Sequence, residues 1–92
     1  MPILPTRYGL LAVPDGDDMI AGFLARYGEW AWHEVAFVAD QIADGARVLD
    51  VGAFLGTFGL GLASLRHLGG LCFVEANPSI VPLLRQNVEG RG

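Results

Sequence analysis

Residues 48–56, VLDVGAFLG, contain the pattern that decides the fold. A short apolar run ends in an acid, Asp50, and is followed by a turn rich in glycine, which we call the glycine turn (residues 52–56). A helical pattern comes next, and a second apolar run then ends in a second acid, Glu75. This succession predicts strand, turn, helix and strand, the first unit of a nucleotide-binding α/β sheet.

The charge of Asp50 bears on which nucleotide the glycine turn would hold. A dinucleotide places its pyrophosphate on such a turn, at the N-terminus of the following helix. A carboxylate at ~4 Å from that phosphate would cost on the order of 4 kcal/mol at an effective dielectric constant of ~20. S-adenosylmethionine has no phosphate and carries a sulfonium and an ammonium group, so Asp50 favours it as the cofactor. Glu75 is placed to accept hydrogen bonds from both ribose hydroxyls.

The spacing of the glycines agrees with that choice. A dinucleotide fingerprint would require glycine at positions 52, 54 and 57. The glycines here are Gly52, Gly56 and Gly59, and Phe54 and Thr57 occupy the other two positions. The resulting acid–x–Gly–x–x–x–Gly pattern is similar to the first motif of S-adenosylmethionine-dependent methyltransferases.

The length of the chain limits how much of such a sheet it can form. The chain has 92 residues, 52% of them hydrophobic, which allows at most one small domain. An open α/β sheet with helices on both faces takes roughly 150 residues or more. We therefore expect the N-terminal portion of a larger enzyme, with uncovered apolar surface. Such surface predicts self-association through an exposed sheet edge.

The overall composition excludes some classes of partner. The net charge is −4 and there is no basic run, so nucleic-acid binding is not expected. The uncharged run at residues 51–65 is shorter than the ~18 residues of a membrane span, so no membrane partner is expected either. Cys72, the single cysteine, lies among apolar neighbours and is predicted to be buried. It cannot form an internal disulfide, which fits a reducing cytoplasm.

The N-terminal half predicts one strand and two helices. Residues 7–13 form a short apolar run that indicates an edge strand or half of a hairpin, followed by a turn at 14–16. A helix is predicted over 19–26, begun by Asp17 or Asp18 and ended by Gly28 in the left-handed conformation. A longer helix is predicted over 30–43, with Gly45 placed to end it.

The C-terminal half predicts two buried strands, each followed by a helix. The strands are Arg47–Val51 and residues 71–75, and the helix between them covers 57–68 and stops at Gly69 and Gly70. Gly59 and Gly61 are unfavourable inside that helix and indicate close packing on the sheet. The last helix is predicted to begin at Ser79, because Pro82 then falls in its first turn.

Several short segments together resemble the FkbM-type methyltransferases. They are RYG at 7–9, YGEW at 27–30, Glu34, VLDVGA at 48–53, GTF at 56–58, VEANP at 74–78, and LL with Asn87 at 83–87. The resemblance implies a Rossmann-like class I methyltransferase sheet, present here as its N-terminal portion only. The chain would be a partial cofactor-binding domain over residues 1–92, with N-terminal strand and helices at 7–45 and a βαβα unit at 46–90. It further implies O-methylation of a sugar or other small-molecule acceptor with S-adenosylmethionine.

The same resemblance assigns residues to the cofactor. Asp50, Gly52 and Gly56 would shape the methionine end of its site, and Glu75 would bind the ribose. Tyr27 and Glu29, just upstream, would approach the methionine moiety. The full expected set, which includes two residues beside the ribose and adenine, is Asp50, Gly52, Ala53, Phe54, Gly56, Thr57, Glu75, Ala76 and Asn77.

Phe54 departs from the family pattern. Its position is usually filled by asparagine or glycine, which adopt positive φ readily, whereas phenylalanine does so rarely. Two outcomes are open: the turn avoids positive φ at this residue, or the geometry of cofactor binding is altered.

The residues that would perform catalysis are not identified. No Ser-His-Asp, Cys-His or P-loop arrangement can be assembled, and His33 and His67 lack the spacing of metal ligands. Two other functions stay open. One is a nicotinamide-dinucleotide domain with Glu75 on the ribose, and the other is a non-catalytic remnant that acts as an interaction module.

Overall fold

A computed structural model describes residues 2–16 and 18–89 as an α/β fold, which confirms the predicted class in its coarse form. These residues form four helices and two two-stranded sheets. In chain order the elements are β1 (Ile3–Thr6), β2 (Gly9–Ala12), α1 (Met19–Tyr27), α2 (Trp32–Gln41), β3 (Arg47–Val51), α3 (Thr57–Leu65), β4 (Gly70–Val74) and α4 (Val81–Glu89). Within the same residues, no helix combines the length and the apolar character that crossing a membrane requires.

The β3–α3–β4 unit is the predicted strand–helix–strand succession. β3 and β4 are parallel, with Asp50 opposite Phe73 and Val51 opposite Val74. Parallel neighbours need a long crossover, and α3 supplies it. Because the two strands run in the same direction, the glycine turn and Glu75 leave the sheet at the same edge.

The N-terminal strand is part of a hairpin, but it is shorter than predicted. β1 pairs antiparallel with β2, which confirms the hairpin alternative, but Arg7 and Tyr8 form the turn and the strand covers only Gly9–Ala12 of the predicted residues 7–13. The Thr6 hydroxyl accepts a hydrogen bond from the Tyr8 N–H (3.1 Å) and donates to the Gly9 carbonyl (2.7 Å). This local hydrogen bonding turns the chain before Gly9.

Helix α1 has the predicted caps. Asp18 precedes it and accepts a hydrogen bond from the Ala21 N–H at 2.8 Å, whereas the other candidate, Asp17, lies outside the described residues. Gly28 follows the helix with φ +75°, and its N–H bonds to the Leu24 carbonyl. The helix ends at Tyr27, one residue later than predicted.

Helix α2 is shorter than predicted at both ends. It begins at Trp32, because the Tyr8 hydroxyl accepts a hydrogen bond from the Trp30 N–H (3.0 Å) and donates to the Trp30 carbonyl (3.1 Å). Ala31 then adopts φ +52° before the helix starts. The helix ends at Gln41, so Gly45 does not end it. Gly45 lies in the following loop, where its N–H donates to the His67 carbonyl.

The boundaries after the glycine turn also differ from the prediction. α3 ends at Leu65 rather than at 68, and Gly70 is the first residue of β4 rather than part of a stop signal. Gly69 lies in the loop, with its N–H bonded to the Ala46 carbonyl at 2.8 Å. α4 begins at Val81 rather than at Ser79, and Pro82 stands in its first turn as predicted.

Two glycines in α3 allow close contact with the neighbouring elements. A Cβ atom on Gly59 would lie 2.5 Å from Phe73 Cε1, so the helix packs directly on β4, as predicted. A Cβ on Gly61 would instead lie 2.8 Å from Val35 Cγ1, so this glycine packs against α2 and not against the sheet. α3 is therefore packed closely between the sheet and α2.

Residues 2–16 and 18–89 cover one face of the β3–β4 sheet and leave the other exposed. Leu71 and Phe73 face α3, but the alternate side chains form an exposed surface that we call the open face: Leu49, Val51, Cys72 and Val74. Leu49 is 63% exposed and Val51 70%. The prediction of two buried strands and a buried Cys72 was therefore wrong, because strand side chains alternate between faces.

Two core clusters are formed within the part of the chain that the structure describes. The larger joins the hairpin, α1, the glycine turn and the start of α4, and its members are Tyr8, Leu11, Ala12, Val13, Ala21, Leu24, Leu55, Ile80 and Leu83. The smaller joins α2 to α3 through Val35, Ala39 and Leu62. The N-terminal hairpin thus packs around the glycine turn.

Candidate functional site

The glycine turn and the end of β4 are held together by main-chain hydrogen bonds. The N–H groups of Gly52 and Ala53 both donate to the Val74 carbonyl, at 2.8 and 3.0 Å. This contact fixes the turn at the carboxyl ends of two parallel strands. Ligands of open α/β sheets bind at such an edge.

Glu75 connects the turn to the loop that follows β4. One carboxylate oxygen accepts a hydrogen bond from the Phe54 N–H (2.8 Å), and the other accepts one from the Asn77 N–H (2.9 Å). These two bonds, led by that of Asn77, lower the pKa of the Glu75 carboxyl below its usual value. Each carboxylate oxygen can accept more than one hydrogen bond. The half-buried side chain therefore keeps acceptor sites for a ligand while it organises the turn.

Asp50 lies beneath the first turn of α3. Its Oδ2 accepts a hydrogen bond from the Gly59 N–H at 3.3 Å, the third amide of the helix. Gly56, the residue that precedes α3, has no side chain that could cap it. Asp50 therefore supplies the capping acceptor from the preceding strand. Burial raises the pKa of the Asp50 carboxyl, and the bond from Gly59 partly opposes this effect.

The conformation of Phe54 answers one of the open questions. Its φ is +52°, between Gly52 at +75° and Gly56 at +91°, so the turn keeps the positive φ despite the change of residue type. A left-handed conformation costs roughly 1–2 kcal/mol for a residue other than glycine. The half-buried Phe54 ring packs against the larger core cluster, and the Phe54 N–H is bonded to Glu75. Packing and hydrogen bonding together hold the turn in this conformation.

The other predicted site residues surround this arrangement. Ala53 and Thr57 are buried, at 6% and 8% exposure, whereas Ala76 and Asn77 are exposed in the loop after β4. The Asn77 side chain accepts a hydrogen bond from the Ser79 N–H (2.9 Å). The main-chain carbonyl of Asn77 accepts hydrogen bonds from the N–H groups of Ile80 and Val81. Asn77 therefore also starts the turn that leads into α4.

Tyr27 and Glu29 make their contacts elsewhere. Glu29 forms an ion pair with Arg7 at 2.8 Å, and Arg7 also lies over the Trp32 ring at 3.8 Å from its centroid. The Tyr27 ring packs on Phe23, with the centroids 4.5 Å apart. In the part of the chain that the structure describes, the hydrogen bonds around the glycine turn include neither residue.

Asn87 belongs to the segments that carry the family resemblance, but the sequence did not place it at the site. Its side chain, 3% exposed on α4, accepts a hydrogen bond from the Ala12 N–H (2.7 Å). It donates to the Ala12 carbonyl (3.1 Å) and to the Leu55 carbonyl in the glycine turn (3.0 Å). The available signal was its position one helical turn after the buried Leu83, where an apolar side chain would be expected.

A cleft of about 330 Å³ lies between β4 and α4. Its walls are mainly apolar, formed by Leu71, Phe73, Leu84 and Val88 among others, and it reaches Glu75 at one end. Of the predicted site residues only Glu75 lines it, so the cleft adjoins the glycine turn without containing it. Over residues 2–16 and 18–89, no group of three His, Cys, Asp or Glu side chains is close enough together to hold a metal ion.

Comparison with protein-family models, curated proteins and solved structures gives no match to this chain. The arrangement offers a pair of carboxylates, one on each side of a tightly held turn, and it is suited to binding a polar or cationic ligand. Nothing in it has the geometry of a nucleophile paired with a base.

Proposed function

We propose that this chain is the cofactor-binding part of an S-adenosylmethionine-dependent methyltransferase with a Rossmann-like class I sheet. The observation that carries the proposal is the pair of hydrogen bonds that Glu75 accepts from Phe54 and Asn77, at the edge where the glycine turn leaves β3. A carboxylate fixed in this way presents its remaining lone pairs to a vicinal diol such as a ribose.

The position of Asp50 supports a cofactor without a phosphate. Helix N-termini attract phosphates because their first N–H groups lack partners. In α3 the third of these N–H groups is already bonded to the Asp50 carboxylate, which brings a negative charge to the same helix end. A pyrophosphate there would face this charge, whereas the ammonium and sulfonium groups of S-adenosylmethionine would be attracted to it.

The residues present fit the cofactor in a limited set of roles. Glu75 would accept the ribose hydroxyls, Asp50 would favour the cationic end, and the loop at Ala76 and Asn77 would lie beside the nucleoside. The cofactor supplies an activated methyl group, so most of the remaining task is to position donor and acceptor. The acceptor we propose is a hydroxyl of a sugar or other small metabolite in the cytoplasm. Such a hydroxyl needs a general base, to which we assign no residue of this chain.

Calorimetric titration with S-adenosylhomocysteine tests the proposal. Wild type is expected to bind in a saturable way, and Asp50→Ala and Glu75→Ala are each expected to weaken binding about tenfold or more, since each removes a hydrogen bond to a charged group. Asp40→Ala is the matched control. This substitution removes a carboxylate that pairs with Arg66. Arg66 follows the C-terminal end of α3, and the glycine turn lies at the opposite end of that helix. Circular dichroism of each variant reports whether it is folded.

A parallel titration with NADH separates the alternatives. Binding of NADH in preference to S-adenosylhomocysteine would show a dinucleotide domain and overturn the proposal. If the folded wild-type chain binds neither ligand, the proposal is overturned and a non-catalytic interaction module is favoured. Equal binding by wild type and Glu75→Ala would show that the ribose role of Glu75 is wrong.

A further inference from the structure

We propose that Asn87 is a positioning residue that holds the glycine turn in its ligand-binding geometry. Asn87 is on α4, and it acts through the Leu55 carbonyl rather than by touching a ligand. The choice of ligand in this inference rests on the proposed function. The positioning role itself rests on hydrogen bonds within the chain.

The hydrogen bonds of Asn87 join three segments that are far apart in the sequence. Its Oδ1 accepts from the Ala12 N–H at 2.7 Å, and its Nδ2 donates to the Ala12 carbonyl at 3.1 Å and to the Leu55 carbonyl at 3.0 Å. In the first two bonds the Asn87 side chain pairs with the N–H and the carbonyl of Ala12, as a neighbouring strand would. The third carries this attachment to the glycine turn.

The bond to Leu55 ties the second half of the glycine turn to α4, whereas the Gly56 N–H is bonded within the turn, to the Ala53 carbonyl at 2.9 Å. Gly52, Ala53 and Phe54 are bound through their N–H groups, to the Val74 carbonyl and to Glu75. Leu55 lies between two residues of positive φ, Phe54 and Gly56, and Asn87 binds its carbonyl. The peptide group after Leu55 is therefore held at its carbonyl from α4 and at its N–H from within the turn, while the start of the turn is held from the side of β4.

The hydrogen bonds of Asn87 are buried. Asn87 is 3% exposed, and Leu55 and Ala12 are 0% and 1% exposed, so water cannot easily replace the side-chain amide. Buried main-chain groups that lose a partner are strongly unfavourable. Without Asn87, the Leu55 carbonyl would turn towards solvent, and the orientation of the turn would change with it.

The experiment compares Asn87→Ala with Val35→Ala in the whole chain. Val35 belongs to the smaller core cluster between α2 and α3, so its truncation destabilises the protein without touching the turn. Both variants are compared at temperatures that give the same folded fraction. We expect Asn87→Ala to bind S-adenosylhomocysteine about tenfold more weakly than wild type, and Val35→Ala to stay within about twofold. Equal losses of affinity in the two variants would overturn the positioning role.

Hydrogen exchange of the ligand-free chain tests the inference separately from the proposed function. Exchange at the Phe54 and Gly56 amides should be accelerated in Asn87→Ala and not in Val35→Ala. If wild type fails to bind S-adenosylhomocysteine, the proposed function is wrong and this exchange pattern alone decides on Asn87. Unchanged protection of the turn in Asn87→Ala would overturn the inference.

A measurement on wild type covers the case in which Asn87→Ala does not fold. The side-chain amide of Asn87 gives its own NMR signals, which should shift when S-adenosylhomocysteine saturates the chain, because a ligand on the turn moves the Leu55 carbonyl. Signals that stay unchanged at saturation would overturn the inference. If wild type does not bind the ligand, the exchange rate of the Asn87 side-chain amide protons is measured instead. Slow exchange is expected, and fast exchange would count against the bond to Leu55.

Discussion

The Phe54 N–H donates a 2.8 Å hydrogen bond to the carboxylate of Glu75, 21 residues further along the chain. This bond joins the non-glycine residue of positive φ in the glycine turn to the acid proposed to bind the ribose. The same carboxylate therefore maintains the shape of the turn and would receive the ligand. A site of this kind is organised before the ligand arrives, which reduces the entropy lost on binding.

The first prediction concerns the pH dependence of the Glu75 contact. Hydrogen bonds lower the pKa of Glu75 below its ordinary value of 4.5, so its contribution to stability is fully present above pH 4.5 and is lost as the pH falls through the lowered pKa. The NMR shift of the Phe54 amide should titrate with a midpoint below 4.5. Glu75→Gln should abolish this titration, and a midpoint at or above 4.5 would contradict the contact.

The second prediction separates the charge of Asp50 from its role as a hydrogen-bond acceptor. Asp50→Ala removes the acceptor of the Gly59 N–H and should destabilise the fold by about 1 kcal/mol, as the loss of a helix cap does. Asp50→Asn keeps an acceptor and removes the desolvated charge. Urea unfolding should show that Asp50→Ala is less stable than Asp50→Asn.

The sign of the pH effect at Asp50 is opposite to that at Glu75. Burial raises the pKa of Asp50, so the native state binds its proton more tightly than the unfolded chain does. The contribution of Asp50 to stability therefore falls as the pH rises from 3.8 through the raised pKa. The stability of Asp50→Asn relative to wild type should increase between pH 4 and pH 7, and a constant difference would show that the carboxyl is not desolvated.

The third prediction concerns Ala31, which has φ +52° before α2. Ala31→Gly should stabilise the fold by roughly 0.5–1 kcal/mol, because glycine adopts this conformation without the steric cost of a Cβ. Ala25→Gly, at an exposed position inside α1, is the matched control and should destabilise by about 1 kcal/mol. Urea denaturation of both variants measures the difference, and destabilisation by the two substitutions alike would show that Ala31 is not strained.

The fourth prediction follows from the open face. We predict that the chain self-associates as its concentration rises, because Leu49, Val51 and Val74 expose contiguous apolar surface next to a strand edge that none of the described residues pairs with. The double variant Leu49→Thr/Val51→Thr should reduce the association while keeping residues that favour strands. Leu10→Thr, 68% exposed on β2, should not reduce it. Sedimentation velocity over a concentration series measures the effect, and a monomer at every concentration would contradict it.

The sequence was a good guide to the β3–α3–β4 unit, because short apolar runs, glycines and a helical pattern are all local signals. It failed where a distant residue determines the outcome. The start of α2 depends on the Tyr8 hydroxyl, 22 residues before Trp30. The exposure of Cys72 depends on which face of the sheet α3 covers, and strand composition does not specify that.

The sequence predicted that Asp50, the glycine turn and Glu75 lie at the same edge of the sheet, but it did not predict their hydrogen bonds. The spacing of Asp50, the glycines and Glu75 indicated which side chains would gather at one edge of the sheet. The partners of both acids are main-chain N–H groups, whose direction depends on the φ values of the turn. Asn87 was named in the family resemblance, but its role could not be recognised because its partners, Ala12 and Leu55, are main-chain groups of segments distant in the sequence.

The two glycines of α3 have a consequence for how this chain tolerates random substitution. Gly59 and Gly61 have no side chains, yet an added methyl group at either would meet Phe73 or Val35 at 2.5 or 2.8 Å. In a library of point variants, these two positions should be as intolerant as the fully buried leucines. The solvent-facing Gly22 of α1, with nothing within 4 Å of such a methyl group, should accept many residues. The distance between α3 and its neighbours is thus set by the absence of side chains at these two glycines.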